Sequence, residues 1–293
     1  QAQDRAIVEN DRPVHMVIKK QRSPGKANVV GQPGQPGQRI WLDMKKLPIH
    51  DEEGRVIGIL GVFEDITERK IAEQALQLEK QRTDQLLLNI LPQAIVDRLK
   101  TIDGSIADRF DEATVLFADI VGFTGMSSQI PPTQVVNMLN EIFSTFDRLA
   151  ERHRLEKIKT IGDAYMVAGG IPIAVNDHVE AVADMALDML SKLDEIREHI
   201  GLPLQIRIGI NTGPVVAGVI GVKKFIYDLW GDTVNVASRM ESTGEPNRIQ
   251  VTDVIYQRLR DRFEFEPRGL IQVKGKGAMQ SYWLVQRRTP LTP

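Results

Sequence analysis

Apolar and polar positions alternate with three different rhythms along the chain. In residues 1–65, β-type runs at 14–19, 39–47 and 56–64 flank a tract rich in proline and glycine at 23–38, where no regular element is expected. The segment DEEG at 51–54 separates the last two runs as a hairpin turn. A small antiparallel sheet is predicted. From 66 to 91 the rhythm is helical, with neither Gly nor Pro before Pro92. Ile71, Ala75, Leu78, Arg82, Leu86 and Asn89 follow a loose heptad, which suits a short coiled-coil seam or a plain amphipathic linker helix. Pro92 breaks that helix, and PQAIVDRLK restarts it.

Strand and helix patterns alternate over 108–288. A continuous apolar strand covers 113–120, and a helix at 131–152 opens on prolines that its first turn tolerates. Strands at 155–160 and 164–168 surround Ile161, Gly162 and Asp163. A helix follows at 177–200, with Asp177 and Glu180 at capping-box spacing and Val179, Val182, Ala186, Met189, Leu193, Ile196 and Ile200 on one face. Leu204, Ile206, Ile208 and Ile210 alternate with Gln205, Arg207, Gly209 and Asn211, the pattern of a half-buried strand. Helices near 233–241 and 253–260 and strands near 269–274 and 281–285 complete the region. The order βαββαβ with additions predicts an α/β sandwich, its helices over one sheet.

Composition narrows the function classes. A chain of 293 residues suits one or two domains. Hydrophobic residues at 42% and charged residues at 26% exclude a disordered or collagen-like chain. A net charge of −2 provides no surplus for nucleic acid or an anionic membrane. Without cysteine there is no disulfide, thiolate zinc site or Cys nucleophile, which fits a reducing, cytoplasmic setting. No apolar run approaches the roughly 18–20 residues of a membrane span. The first residues lack an initiator Met, a basic region and an apolar region, so they read as a cut within a longer protein rather than a signal peptide.

Four places carry candidate chemistry. Asp119 ends the apolar run TVLFADI, where a carboxylate is costly unless a cation or strong donor compensates it; the plainer alternative is a local turn cap. The loop IVGFTG follows, where Gly122, Phe123 and Thr124 can aim backbone N–H groups at a phosphate. Asp163 sits at a tight turn, and two carboxylates at adjacent strand ends suit one or two Mg²⁺ ions. Lys159, four residues earlier, shares strand parity with Asp163 and is expected to face the same cleft. Within 227–244, Asp228 precedes a turn, and Asn235 and Arg239 share one helix face; an Arg239 pairing with Glu241 or Asp232 is the structural alternative. Lys274 and Lys276 lie among glycines in VKGKG, suited to a polyphosphate or to a solvated turn.

These residues resemble the class III nucleotidyl cyclase catalytic domain. The matching motifs, in the family's order, are FADIVGFT at 117–124, KTIGDAYM at 159–166, TGPVVAGVIG at 212–221, YDLWGDTVNVASRMEST at 227–243 and VKGKG at 273–277. The resemblance implies a ferredoxin-like βαββαβ core and a head-to-tail homodimer with active sites shared across its interface. It further implies metal binding by Asp119, Asp163 and the carbonyl of Ile120, with two Mg²⁺ or Mn²⁺ per site. Asn235 matches the ribose-orienting residue, Arg239 the arginine on the reacting phosphate, and Lys274 a terminal-phosphate lysine. Lys223 stands where some relatives place a phosphate-binding Arg.

The positions of Lys159 and Asp228 face the purine in this family. Lysine only donates hydrogen bonds and an ionised aspartate only accepts them, which complements adenine at N1 and N6 and opposes guanine at N1 and O6. Such mispairing discriminates by as much as ~10⁴–10⁵. Guanylyl cyclases of the family carry Glu and a small residue, usually Cys, at these positions. The expected reaction is therefore ATP to 3′,5′-cyclic AMP and pyrophosphate, with a guanylyl cyclase or a catalytically silent cyclase-like dimerisation or sensing module as alternatives. Residues 39–70 resemble the C-terminal half of a PAS domain, and 86–99 the helical transducer that precedes many cyclase domains. The resulting division is 1–65 PAS-like sensor, 66–107 signalling helix and transducer, and 108–288 catalytic domain.

Overall fold

The computed structural model describes residues 7, 10–21, 39–101, 106–221 and 224–288. The proline- and glycine-rich tract at 23–38 and Lys223 lie outside the described residues. The chain divides into two compact units, one ending at Leu86 and the other beginning at Leu87.

The first unit holds strands β1 (Val14–Gln21), β2 (Arg39–His50) and β3 (Val56–Asp65), an antiparallel sheet in sequence order. Its β2–β3 turn is locked by Asp51, whose Oδ1 accepts the backbone N–H groups of Glu53 and Arg55 at 3.0 and 2.8 Å. Helix α1 (Thr67–Leu88) is tied to the sheet at its start. Asp65 Oδ1 accepts from the Thr67 backbone and hydroxyl, and that hydroxyl accepts from Trp41 N–H at 2.8 Å. Along α1 the loose-heptad positions Ile71, Leu78 and Leu86 are 57–67% exposed, and Thr67 is its buried residue.

The second unit opens with α2 (Gln93–Leu99), started after Pro92. The elements β4 (Ile106–Ile120), α4 (Pro132–Arg152), β5 (Glu156–Ile161), β6 (Ala164–Gly169), α5 (His178–Ile200) and β7 (Ile206–Ile220) form the βαββαβ core, with the short α3 (Phe123–Ser127) following β4. Its strands lie in the order β7-β4-β6-β5, all antiparallel. This is the ferredoxin-like order that the motif pattern implied. Additions follow: β8 (Ile226–Trp230), α6 (Asp232–Ser242), β9 (Ile249–Thr252), α7 (Asp253–Leu259), β10 (Phe263–Val273) and β11 (Gly277–Arg287). Strand β9 joins β7 in parallel, and β8 folds back on the far half of β7.

Both faces of this sheet are covered, rather than one. Leu116, Ala118 and Ile120 of β4 point into a core with Met138, Ile142 and Phe146 of α4 and Val182, Met185 and Met189 of α5. The opposite parity, Ala113, Val115 and Phe117, packs with Ile95 and Val96 of α2, Tyr227 and Leu229 of β8 and Ala237 of α6. Double coverage explains why β4 reads as an unbroken apolar run. It also corrects the half-buried reading of β7. Gly209 and Asn211, the polar parity of that strand, are buried, because α6 lies over them. The capping box expected at α5 does not form. Asp177 occupies the cap without a side-chain hydrogen bond, its backbone being near-helical at φ −92° and ψ 16°.

One polar feature lies under the α2 face. The Tyr227 hydroxyl is the buried side-chain polar atom without a hydrogen-bond partner among the described residues. The charge of Glu156, at the start of β5, is felt there, and burial pushes the Glu156 carboxyl up to about 7. A carboxyl whose folded pKa is raised from 4.5 makes the fold lose stability as pH rises from 4.5 through about 7, because only the folded state must give up a bound proton over that window. Glu156→Gln is therefore expected to gain thermal stability over the parent between pH 5 and pH 8, with the gain growing as pH rises. Paired melts at pH 5, 6.5 and 8 check this, and a constant or shrinking difference contradicts it.

Candidate active site

Strand register assembles the first cluster. Asp119, near the end of β4, lies opposite Ala164 of β6 on one side and Arg207 of β7 on the other. Residues directly opposite on neighbouring strands point to the same face. Arg207 Nη2 accordingly donates to Asp119 Oδ2 at 2.6 Å. Asp163 occupies the β5–β6 turn, which needs Gly162 at φ 63° to reverse the chain so tightly. Its carboxyl titrates above the ordinary value, first through burial and then because the Asp119 carboxylate lies against it. The cation or donor demanded by Asp119 in an apolar strand is thus Arg207, and Asp119 is not a turn cap.

A third acid completes this cluster. Glu241, at the C-terminal end of α6, accepts from Arg207 Nε at 3.2 Å, with Nη2 at 3.1 Å. Glu241 is 8% exposed, and burial, then the Asp119 charge, push it up to about 7. Sequence reasoning missed Arg207 in this role and treated Glu241 only as a possible partner of Arg239. The signal was there in part, since Arg207 stands at the parity that proved buried, but pairing it with Asp119 requires the β4–β7 register. Asp119, Asp163 and Glu241 surround one guanidinium, leaving excess negative charge. Two adjacent carboxylates with only oxygen donors fit a hard divalent cation such as Mg²⁺ or Mn²⁺.

The second cluster is separate. Lys159 Nζ donates to Asp228 Oδ2 at 2.5 Å, and Asp228 Oδ1 accepts from Leu229 N–H at 2.8 Å. Asp228 is 9% exposed. The shared-parity expectation for Lys159 and Asp163 fails for a local reason. Pairing is regular from Lys159 to Ile161, but Asp163 lies in the turn beyond the strand, where strand parity no longer fixes its direction. Lys159 therefore turns to β8, and Asp163 to Asp119.

Helix α6 presents the third set. Gly231 precedes it, and it packs on β7 at Gly209, where an added Cβ would fall 2.0 Å from the Glu241 backbone nitrogen and 2.6 Å from the Ala237 carbonyl oxygen. Its start is clamped by Asn211 Nδ2 donating to Thr233 O at 3.1 Å and by Thr233 Oγ1 donating to Pro214 O at 2.7 Å. With Val236, Ala237 and Met240 buried, Asn235 and Arg239 face outward and are exposed. Neither alternative for Arg239 holds: Glu241 pairs with Arg207, and Asp232 with Lys276 at 2.7 Å. Lys274 is exposed, and Lys276 is engaged by that ion pair. After β4, Gly122 adopts φ 69° and starts α3; Phe123 packs on the core, Thr124 is exposed, and the Ile120 side chain is buried.

Comparison with known proteins identifies the family. The family described as the adenylate and guanylate cyclase catalytic domain matches residues 106–286, and the PAS fold matches residues 1–71. An adenylate cyclase of Mycobacterium tuberculosis (strain ATCC 25618 / H37Rv) is 46% identical over 238 residues, covering 81% of this chain and 54% of its own. The guanylate cyclase soluble subunit beta-2 of Rattus norvegicus is 45% identical over 221 residues, or 75% of this chain and 32% of its own. Among solved structures, the catalytic core of a rhodopsin-guanylyl cyclase with converted specificity, in complex with ATPalphaS, superposes with TM-score 0.60 at 41% identity, covering 62% of this chain and 98% of that one. The adenylyl cyclase CyaB from P. aeruginosa gives TM-score 0.60 at 30% identity, covering 64% and 100%. The chain belongs to the class III adenylate and guanylate cyclase family, with a PAS-fold segment before the cyclase domain. It spans about half the length of the mycobacterial adenylate cyclases it matches.

The tightness of the α6–β7 contact gives a direct test. Gly209→Val forces the α6 backbone off the strand, and a clash with backbone has no cheap relief. The variant is expected to lose several degrees of melting temperature and most catalytic turnover together, as measured by calorimetry and product assay. A variant with parental stability and activity would contradict the assigned packing.

Proposed function

We propose that the chain is an adenylyl cyclase, converting ATP to 3′,5′-cyclic AMP and pyrophosphate at sites shared between two copies in a homodimer. Cyclase relatives of both substrate types reach similar identity, so overall likeness does not choose the base. The observation that carries the choice is the Lys159–Asp228 pair. One cationic donor and one anionic acceptor side by side match the N1 acceptor and N6 donor of adenine, whereas guanine meets donor with donor and acceptor with acceptor.

The remaining roles follow from placement. Asp119 and Asp163, with the Ile120 carbonyl, would hold the divalent cations, two per site. When bound, these supply positive charge that lowers the proton affinity of the ribose 3′-hydroxyl and offsets the charge of the triphosphate. Asn235 orients the ribose, and Arg239, outward and without an ion-pair partner among the described residues, meets the charge that develops on the α-phosphate as the 3′-oxygen attacks and pyrophosphate leaves. Lys274, on the exposed loop before β11, holds terminal phosphates, and the Gly122–Thr124 backbone borders them. Catalysis is mainly positioning and electrostatics. The division of the chain into a PAS-like sensor at 1–65, a signalling helix and transducer at 66–107 and a catalytic domain at 108–288 belongs to the same proposal, as does a cytoplasmic setting for the catalytic part. No helix among the described residues is long and apolar enough to cross a membrane.

Incubation with ATP or GTP and Mg²⁺ or Mn²⁺, followed by chromatography, tests the substrate directly. Cyclic AMP is expected to dominate; an excess of cyclic GMP overturns the base assignment, and no cyclic product from a verified dimer favours a silent module. Replacing the pair by Lys159→Glu with Asp228→Cys is expected to raise the GTP-to-ATP preference by at least ~10²-fold, from reversal of the buried pairing. An unchanged ratio would detach these two residues from base choice. Asp119→Ala and Arg239→Ala chains are each expected to be inactive, and mixing them to restore part of the activity, since one composite site then remains intact. No recovery in a verified heterodimer counts against shared sites.

A further inference from the structure

Arg207 stands between two structures that the proposed reaction uses separately. On one side is Asp119, at 2.6 Å. On the other is Glu241 of α6, the helix whose outer face carries Asn235 and Arg239, at 3.1 and 3.2 Å. All three groups are largely withdrawn from water, with side-chain exposures of 19% for Asp119, 28% for Arg207 and 11% for Glu241.

A guanidinium with two carboxylate partners is in a different position from one with a single partner. A divalent cation that takes both oxygens of Asp119 must first remove Oδ2 from a charge-assisted hydrogen bond. If Asp119 were the sole partner, that removal would strand a partly buried guanidinium, which is strongly unfavourable. Glu241 removes that penalty, because Arg207 keeps a second anionic acceptor through Nε. The geometry suits this division. Nε and Nη2 lie on one edge of the guanidinium plane, so Glu241 can retain the Nε bond while Nη2 lets go of Asp119.

We propose that Glu241 is a positioning residue for the cyclase reaction: it anchors Arg207 so that Asp119 is released to a divalent cation while the guanidinium stays beside the site. The proposal rests on the reading of Asp119 and Asp163 as the cation-holding pair. Glu241 touches neither substrate nor cation; it acts through Arg207. Were it only a brace for α6, its loss would misplace Asn235 and Arg239, lowering kcat at saturating cation and leaving cation affinity alone.

Mn²⁺ alone is the probe, titrated into the 293-residue chain and followed by the electron paramagnetic resonance signal of the free ion. Glu241→Gln, which keeps volume and loses charge, is expected to weaken Mn²⁺ binding about tenfold, the scale of one charge-assisted hydrogen bond. Glu241→Asp should recover part of the loss. Arg207→Ala, which removes the competing cation, should bind Mn²⁺ more tightly than the parent, and Arg207→Ala combined with Glu241→Gln should bind more tightly than Glu241→Gln alone, a non-additive cycle that a brace would not give. Parental affinity in Glu241→Gln, or no recovery in the double variant, overturns the proposal. If Glu241→Gln fails to fold, Arg207→Ala decides the matter, and parental or weaker affinity there overturns it. Asp119→Asn separates the two levels. Loss of Mn²⁺ binding in it while Glu241→Gln binds normally defeats the anchoring role alone, whereas unchanged binding in Asp119→Asn defeats the cation site and the anchoring role together.

Discussion

Helix α6 lies so close to β7 that the strand has no room for a side chain at position 209. That single contact organises the candidate site. It buries Ala237, while Ile271 and Val273 of β10 cover Val236 and Met240, and together these contacts turn Asn235 and Arg239 outward. It brings the end of the helix over Arg207, so that Glu241 reaches the guanidinium already facing Asp119. The clamp from Asn211 and Thr233 fixes the other end, so the helix can neither slide nor roll along the strand. The polar and small residues of β7, which break its apolar rhythm, are there because this helix needs them.

The sheet supplies the other constraint. With antiparallel neighbours on both sides of β4, the register sets which groups share a rung. Asp119, Arg207 and the Asp163 turn meet because three strand ends stop at one level. The same sheet carries separate cores on its two faces, one under α4 and α5 and one under α2, β8 and α6. A fold of this kind holds its charged cluster at the rim of a largely apolar interior threaded by buried hydrogen-bonded residues such as Asn211, Thr233 and Thr252, which is where a rigid scaffold places groups that must not drift.

Much of this was legible in the sequence, and the gaps have physical causes. The strand–helix order and the core positions of α5 follow from periodicity alone, because that helix buries one regular face. That Asn235 and Arg239 share one helix face was visible from spacing, but not that this face points away from the buried Val236, Ala237 and Met240. What the pattern could not show was anything that depends on how elements are laid side by side. The coverage of β7 by α6 was hidden, since buried polar residues look like solvent-facing ones until their partners are known. The cleft expected to hold both Lys159 and Asp163 was misjudged because Asp163 leaves the strand for a turn, where parity no longer applies. Arg207 and Glu241 escaped notice because the bond between them spans 34 positions. The cap at Asp177 failed for the converse reason: spacing fitted the motif, but the local backbone angles did not.

The ion pair between Lys159 and Asp228 behaves as a latch that is shut at rest. Opening it exposes a nearly water-free carboxylate and a lysine at once, so a visitor offering only one matching group leaves the other stranded. On the proposed reading, selectivity of this kind would be set before any contact with the rest of the nucleotide is made. With the pair closed on itself, each charge already has its counter-charge and neither is left stranded.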